Sequence, residues 1–216
     1  WELTGKQLKP KPFPSPKRGL SNKTFPWKQD RFPMDYSAAV FSRRSSRGFT
    51  QAGLEQEKAR ELLRLSCSFF LQDQDSSPAM AGLNLGVCSQ NINEMSDGLY
   101  LISRERTEFE LEKTGRLAQA LSRVCLDQSW IGRAAMNFLF MADFYGLEQD
   151  LGPRGYRHIL MAAGRIGQRI YLASRALGLG CCAVGAIYDE EARELFDLSS
   201  NTALFYVIAS GPVKKP

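Results

Sequence analysis

The chain has 216 residues, of which 44% are hydrophobic and 24% charged, with a formal net charge of +5. That is the length and composition of one globular domain with a sizeable core, so no second core is needed. No apolar run approaches the roughly 18 residues of a membrane helix, and no charged-then-apolar signal opens the chain, so a cytoplasmic protein without a membrane partner is expected.

The charge is unevenly placed. Residues 1–34 carry eight Lys or Arg against two acids, while the remainder holds 20 bases and 21 acids. The body therefore lacks the clustered cations with interleaved aromatics that a nucleic acid requires, and no nucleic-acid partner is expected. The same first 34 residues hold six of the ten prolines, which precludes regular helix or central strand and favours an extended arm. A solvated linker and an arm that wraps a partner both stay open; Phe13, Phe25, Trp27 and Phe32 argue that part of it docks. The division expected is an arm over 1–34 and one domain over 35–216, the whole read as a piece of a longer chain because it starts at Trp1.

Asp35 can cap a short helix through Ser42, after which comes Arg43-Arg44-Ser45-Ser46-Arg47-Gly48-Phe49. Three arginines and two hydroxyls in five residues suit a phosphate, since guanidinium forks supply charge and hydroxyls supply short donors. A solvated basic loop is the alternative on composition alone. Leu54–Phe70 is amphipathic at helical spacing, with Ala59, Leu62, Leu63, Ser66, Phe69 and Phe70 on one face. A polar loop over Gln72–Ser77 leads to a strand ending near Ile92, a turn at Ser96-Asp97-Gly98, and a second strand at Leu99–Ile102.

A helix over Thr114–Cys125 and an apolar strand at Phe138–Ala142 are expected next. Ile159, Ala163, Ile166, Ile170, Ser174 and Leu177 then recur at steps of three and four, which predicts a long buried helix ending at Gly178. A short strand, Cys181–Val184, follows. Around Val184, Gly185 and Ala186 the backbone carries nothing bulky to obstruct a flat ligand. Asp189 is expected to cap an acidic helix ending near Phe196, and Thr202–Ile208 reads as a strand buried on both faces.

Five cysteines without CxxC spacing read as small core residues in a reducing compartment. His158 is the only histidine, which excludes a two-histidine metal site. Gly178, Gly180 and Gly185 have the wrong spacing and order for a dinucleotide fingerprint.

The run Arg43, Arg44, Ser45, Arg47, Phe49 between the first two helices resembles the R-R-S-x-R-x-F motif of the nitroreductase-like FMN-dependent oxidoreductases. Ala81-Gly82, Gly98-Leu99-Tyr100, Trp130-Ile131 and Val184-Gly185-Ala186-Ile187 follow in that family's order. Tyr145-Gly146 with Arg154-Gly155-Tyr156-Arg157 is similar to the SagB-type dehydrogenase branch. The resemblance covers roughly Tyr36 to Gly211.

It implies an α+β nitroreductase-like fold, with a mainly antiparallel central sheet, surrounding helices and a long central helix. It implies FMN between two like domains. Ala163, Gly164, Gly167 and Ala173 along the long helix offer close-approach surface, so a homodimer or a twin-domain pair packed through long helices is expected, a monomer whose small residues pack on its own sheet being the alternative. Arg43, Arg44, Ser45 and Arg47 would grip the phosphate and pyrimidine end, and the Val184-Gly185 backbone would lie beneath the ring. Lys214 would be a second arm of the phosphate clamp, a solvated tail being the alternative. Met80 stands where the family has serine, leaving Asn84 as the candidate for the pyrimidine edge beside its other reading, a strand-start asparagine.

Tyr145 would be the surviving half of a catalytic Lys-Tyr pair whose lysine place is taken by Phe144. Ala162, Arg165 and Arg169 also depart from the branch. Two readings follow: a flavin oxidoreductase acting on an unidentified small-molecule or peptide substrate, or a degenerate domain that has lost FMN and serves in dimerisation or binding.

Overall fold

Six strands, all paired antiparallel, form one sheet in the order β3-β2-β1-β4-β6-β5. They are β1 Leu83–Ser89, β2 Gly98–Ser103, β3 Glu108–Thr114, β4 Met136–Asp143, β5 Gly180–Val184 and β6 Thr202–Gly211. This computed structural model describes residues 33–71, 80, 82–103 and 108–214. Residues 1–32, with Phe13, Phe25, Trp27 and Phe32, lie outside the described residues, as do Ala81 and the loop 72–77.

β4 runs through the middle of the sheet and separates two cores. Phe138, Phe140 and Ala142 join one core, and Leu139 and Met141 the other, as the two-residue period of a strand requires. The first core lies under α2 (Gln56–Leu71), α4 (Phe144–Leu151) and α5 (Gly155–Ala176). The second lies under α3 (Ala118–Val124) and α6 (Asp189–Phe196). The short α1 (Tyr36–Ser42) packs on α5. Each fully buried Leu, Ile or Phe in these layers stabilises the fold by about 1.5–3 kcal/mol.

The element ends follow local chemistry. Asp35 accepts from the Ala38 amide at 3.1 Å and starts α1, and α5 stops where Gly178 takes φ +69°. The expected helix over Thr114–Cys125 is shorter: Thr114 ends β3, Gly115 turns at φ +124°, and the helix begins at Ala118. β3 itself, Glu-Phe-Glu-Leu-Glu-Lys-Thr, has no counterpart in the sequence reading. Asp189 is the first residue of α6 and not its cap; the cap is Tyr188, and Asp189, Glu190 and Glu191 face the positive helix end. In β6, a register shift opposite Phe140/Met141 leaves both Phe205 and Tyr206 packed on the α5 side, so both are only half-buried.

The small residues of α5 serve the chain's own sheet. Ala163, Gly167 and Ala173 are buried, and a Cβ on Gly167 would stand 3.1 Å from Ile208 Cδ1. Only Gly164 of the four faces outward, with open space above it. The outward stripe consists instead of Tyr156, Leu160 and Met161, all exposed.

Candidate functional site

Arg43, the C-cap of α1, is extended at φ −61°, ψ 131°, and it turns the chain along the free edge of β5. The Ser46 amide donates to the Cys181 carbonyl at 2.8 Å. Phe49 then bridges to Val213, flanked by Thr50 N to Pro212 O at 2.9 Å and Lys214 N to Gly48 O at 3.2 Å. Phe49 is buried and stacks on Trp130 at 6.0 Å. The loop is thus fastened to both β5 and the segment after β6, and Lys214 reaches it through the backbone while its side chain stays exposed.

This loop straddles the sheet edge. Arg43 lies on the α5 side, 5.1 Å above the Tyr171 ring, and Arg47 on the other side, 5.9 Å from the Trp130 ring. Ser45 Oγ is 3.3 Å from Tyr171 Oη, which also accepts from the Ala183 amide at 2.9 Å. Burial raises the Tyr171 phenol above its ordinary pKa, against the lowering effect of its bonds to Ser45 and Ala183, so it remains protonated at neutral pH. Arg44 behaves differently. Its Nη1 donates to the Phe41 carbonyl at 3.0 Å and the Arg43 carbonyl at 2.7 Å, closing the end of α1. Val184 is buried in the second core, whereas a Cβ on the exposed Gly185 would meet nothing within 4 Å.

The thiolate form of both neighbouring cysteines is disfavoured by burial. Burial pushes Cys181 up to about 12 and also raises Cys182. Cys181 meets Ser174 on the α5 side and Cys182 meets Ser45 and Arg47, so the vicinal side chains point to opposite faces. All five cysteines are free and buried. Among the described residues no group of three or more His, Cys, Asp or Glu is placed to hold a metal ion, and no helix is long and apolar enough to cross a membrane.

Two expected site residues are not brought to this edge. Asn84 lies between Leu83 and Leu85, which both enter the first core, so its side chain shares the opposite face with its partner Met141. It is also three strands from β5, about 14 Å at the usual strand spacing, and on the face opposite Arg43. Tyr145 is 63% exposed in the first turn of α4. Its strand, β4, passes the row of Cys182 at Asn137 and ends six residues later, about 20 Å on. Phe144 points inward against Tyr156 and Phe205, each at 5.5 Å between ring centres. Met80 is a buried core residue, 2% exposed.

Tyr171 was not singled out in the sequence. No motif marks it; its only signal is a position one residue off the buried stripe through Ile166, Ile170 and Ser174, where an aromatic borders core and surface. On the outer side of α5 lies a groove of about 1360 Å³, between α2 and the start of α1, floored by Leu65 and Leu172 and flanked by Met161 and Gln168.

A sequence profile described as the Nitroreductase family matches residues 40–211. A nitroreductase-like protein of Methanocaldococcus jannaschii is 28% identical over 123 residues, 57% of this chain and 62% of that protein. A nitroreductase-like structure from Anabaena variabilis superimposes with a TM-score of 0.73 at 23% identity, over 82% of this chain and 38% of that one. Another, from Ralstonia eutropha, has a TM-score of 0.72 at 20% identity over 94% and 99%. The E. coli microcin synthetase complex McbBCD, with truncated pro-MccB17 bound, matches at 0.65 and 19% identity over 98% and 80%. The chain therefore spans less than two thirds of the first two of these relatives, and the structural likenesses concern the fold.

Proposed function

Because the chain belongs to the nitroreductase family, we propose that it is an FMN-dependent two-electron oxidoreductase of the SagB-like kind. The observation that carries this reading is one sheet edge on which Arg43, Ser45, Arg47 and the Lys214 backbone converge beside the open backbone of Gly185. Cations and a hydroxyl donor suit a phosphate and a pyrimidine carbonyl, and the missing side chain at Gly185 leaves room for a flat ring, so these residues fit FMN. When bound, FMN supplies the electron chemistry; the chain binds and orients it and excludes water. Arg44 supports the site by ending α1, and Lys214 adds charge from the tail. The alternative of a domain that has lost FMN is not favoured, because the arginine and serine positions are all present and the loop that carries them is fastened by three backbone hydrogen bonds, two of which make the Phe49–Val213 bridge.

The same reading includes a partner. Phe41 on α1 is 79% exposed and Met161 on α5 66% exposed, with Tyr36 and Tyr156 nearby in the chain also bare. A second copy or a twin domain covering this face would bury them and could bring Tyr145 toward the cofactor from the other side, whereas Asn84, on the opposite face of the sheet, stays away from it. The substrate is a small organic molecule or a peptide. The E. coli complex holds a truncated propeptide, which keeps peptides in view. With Phe144 turned into an aromatic cluster, Tyr145 lacks a cationic neighbour there, so azoline oxidation should be slow. Five free thiols agree with a cytoplasmic setting.

The test is direct. Purified protein should be yellow, or become so with added FMN, and its flavin absorbance should bleach with a reductant. A folded, colourless chain that takes up no FMN would overturn the reading.

A further inference from the structure

Tyr171 joins the two halves of the candidate site, which are far apart in sequence. Its ring supports Arg43, its hydroxyl reaches Ser45, and the same oxygen receives the Ala183 amide, next to Val184 and Gly185. A phenol has one hydrogen. Oη accepts from the Ala183 N–H and keeps its one hydrogen; between Oη and Ser45 Oγ either oxygen can donate, and one of the two arrangements gives the phenol hydrogen to Ser45. In that arrangement Ser45 accepts from Tyr171, and its own hydrogen, within reach of the Cys182 sulfur in the chain alone, is the one a ligand oxygen would take. The 3.3 Å separation is long for two hydroxyls and can shorten when a ligand oxygen draws on Ser45.

We propose that Tyr171 is a positioning residue: it ties the β5 backbone to the Arg43–Arg47 loop and holds Ser45 as a hydrogen-bond donor to an oxygen of bound FMN. This rests on the FMN reading above. The hydroxyl acts through Ser45, and the ring acts through Arg43, so the two contributions separate by mutation.

Tyr171→Phe keeps the ring under Arg43 and removes the hydroxyl. FMN affinity, read by quenching of flavin fluorescence on titration into flavin-stripped protein, should fall about tenfold, which corresponds to about 1.4 kcal/mol. Ser45→Ala should weaken it to a similar degree. In the Ser45→Ala background, Tyr171→Phe should then cost less than about twofold, because the route through Ser45 is already gone. Hydrogen exchange at the Ala183 amide of the flavin-free protein should be faster in Tyr171→Phe and unchanged in Ser45→Ala. Additive losses in the cycle, or undiminished affinity in Tyr171→Phe, would overturn the role of Tyr171 while leaving FMN binding intact. An unprotected Ala183 amide in the unaltered chain would remove the anchor before any flavin is added. An unaltered chain that binds no FMN overturns the functional reading and this role with it, an outcome separate from the others.

Discussion

The two edges of the sheet are protected in different ways. β3 closes one edge with Glu110, Glu112 and Lys113, and such charges discourage pairing with another sheet. β5 closes the other with the loop that carries the candidate site: Ser46 covers the Cys181 carbonyl and Tyr171 covers the Ala183 amide. Edge protection and ligand binding are therefore separate at β3 and shared at β5. Changes at β3 should appear in stability alone, and changes at β5 in flavin binding first.

The largest effect expected is at the β5 edge. Arg43→Ala with Arg47→Ala removes two charge-assisted contacts of about 1.5–3 kcal/mol each, so FMN affinity should fall by at least about a hundredfold. In chemical denaturation the flavin-free variant should lose about 1–2 kcal/mol, since half-buried Arg43 and exposed Arg47 each lose one ring contact. Arg44→Ala should cost about 0.5–1 kcal/mol at the end of α1 and leave flavin bound, because its donors go to the Phe41 and Arg43 carbonyls. Undiminished FMN in the double variant would take this edge out of the site.

A glycine on β5 itself and another on β2, next to β3, each leave no room for a Cβ without a shift, and the two meet different things. A Cβ at Gly98 would overlap the Lys113 backbone oxygen and lie 2.8 Å from Leu111 Cδ1, and main chain cannot rotate aside. Gly98→Ala should cost about 1–3 kcal/mol in denaturant unfolding without altering flavin affinity. At Gly180 the overlap is with a Val213 methyl, and Ser46 Cβ is 3.0 Å away. Val213 can turn, so Gly180→Ala should cost only about 1 kcal/mol, but it displaces the Phe49–Val213 bridge and should weaken FMN binding severalfold. Equal loss of binding in both variants would erase the distinction between the edges.

The β5 edge was largely readable in the sequence because its signals are local. Gly178 ends α5, a short apolar run makes β5, and the Arg-Ser-Arg spacing sits directly after a capped helix. β3 was not readable. Glu and Lys are poor strand formers, and that composition masks the two-residue alternation of Glu-Phe-Glu-Leu-Glu, which becomes a strand by pairing with Gly98–Ser103. Asn84 shows a similar limit. The alternation Leu83-Asn84-Leu85 reveals that it points away from one core, but which face bears the site depends on where α5 and the loop settle. The small residues of α5 were visible, while their partner was not: Gly167 meets Ile208 and Tyr206 of the chain's own sheet. Tyr171 escaped because its three contacts come from α1's end, the following loop and β5, which meet only in the fold.

The smallest effect lies at the β3 edge. Lys113 Nζ is 3.1 Å from the Leu195 carbonyl in the last turn of α6 and 3.4 Å from Asp197 Oδ2, and it joins β3 to the second helical layer. A cation there opposes the negative end of the helix. Both side chains are well exposed, 41% and 79%, so water and salt screen most of the attraction. Lys113→Met keeps the apolar stem and removes only the charge and its hydrogen bonds, so the loss should be about 0.3–0.5 kcal/mol in low salt. In 1 M salt the ion-pair part should vanish, since the screening length there is about 3 Å. A loss that persists in high salt would assign the contact to the Leu195 carbonyl instead of Asp197. FMN affinity should not move in either buffer; a change there would show that the β3 edge is coupled to the site across the whole width of the sheet, against the separation the two edges display.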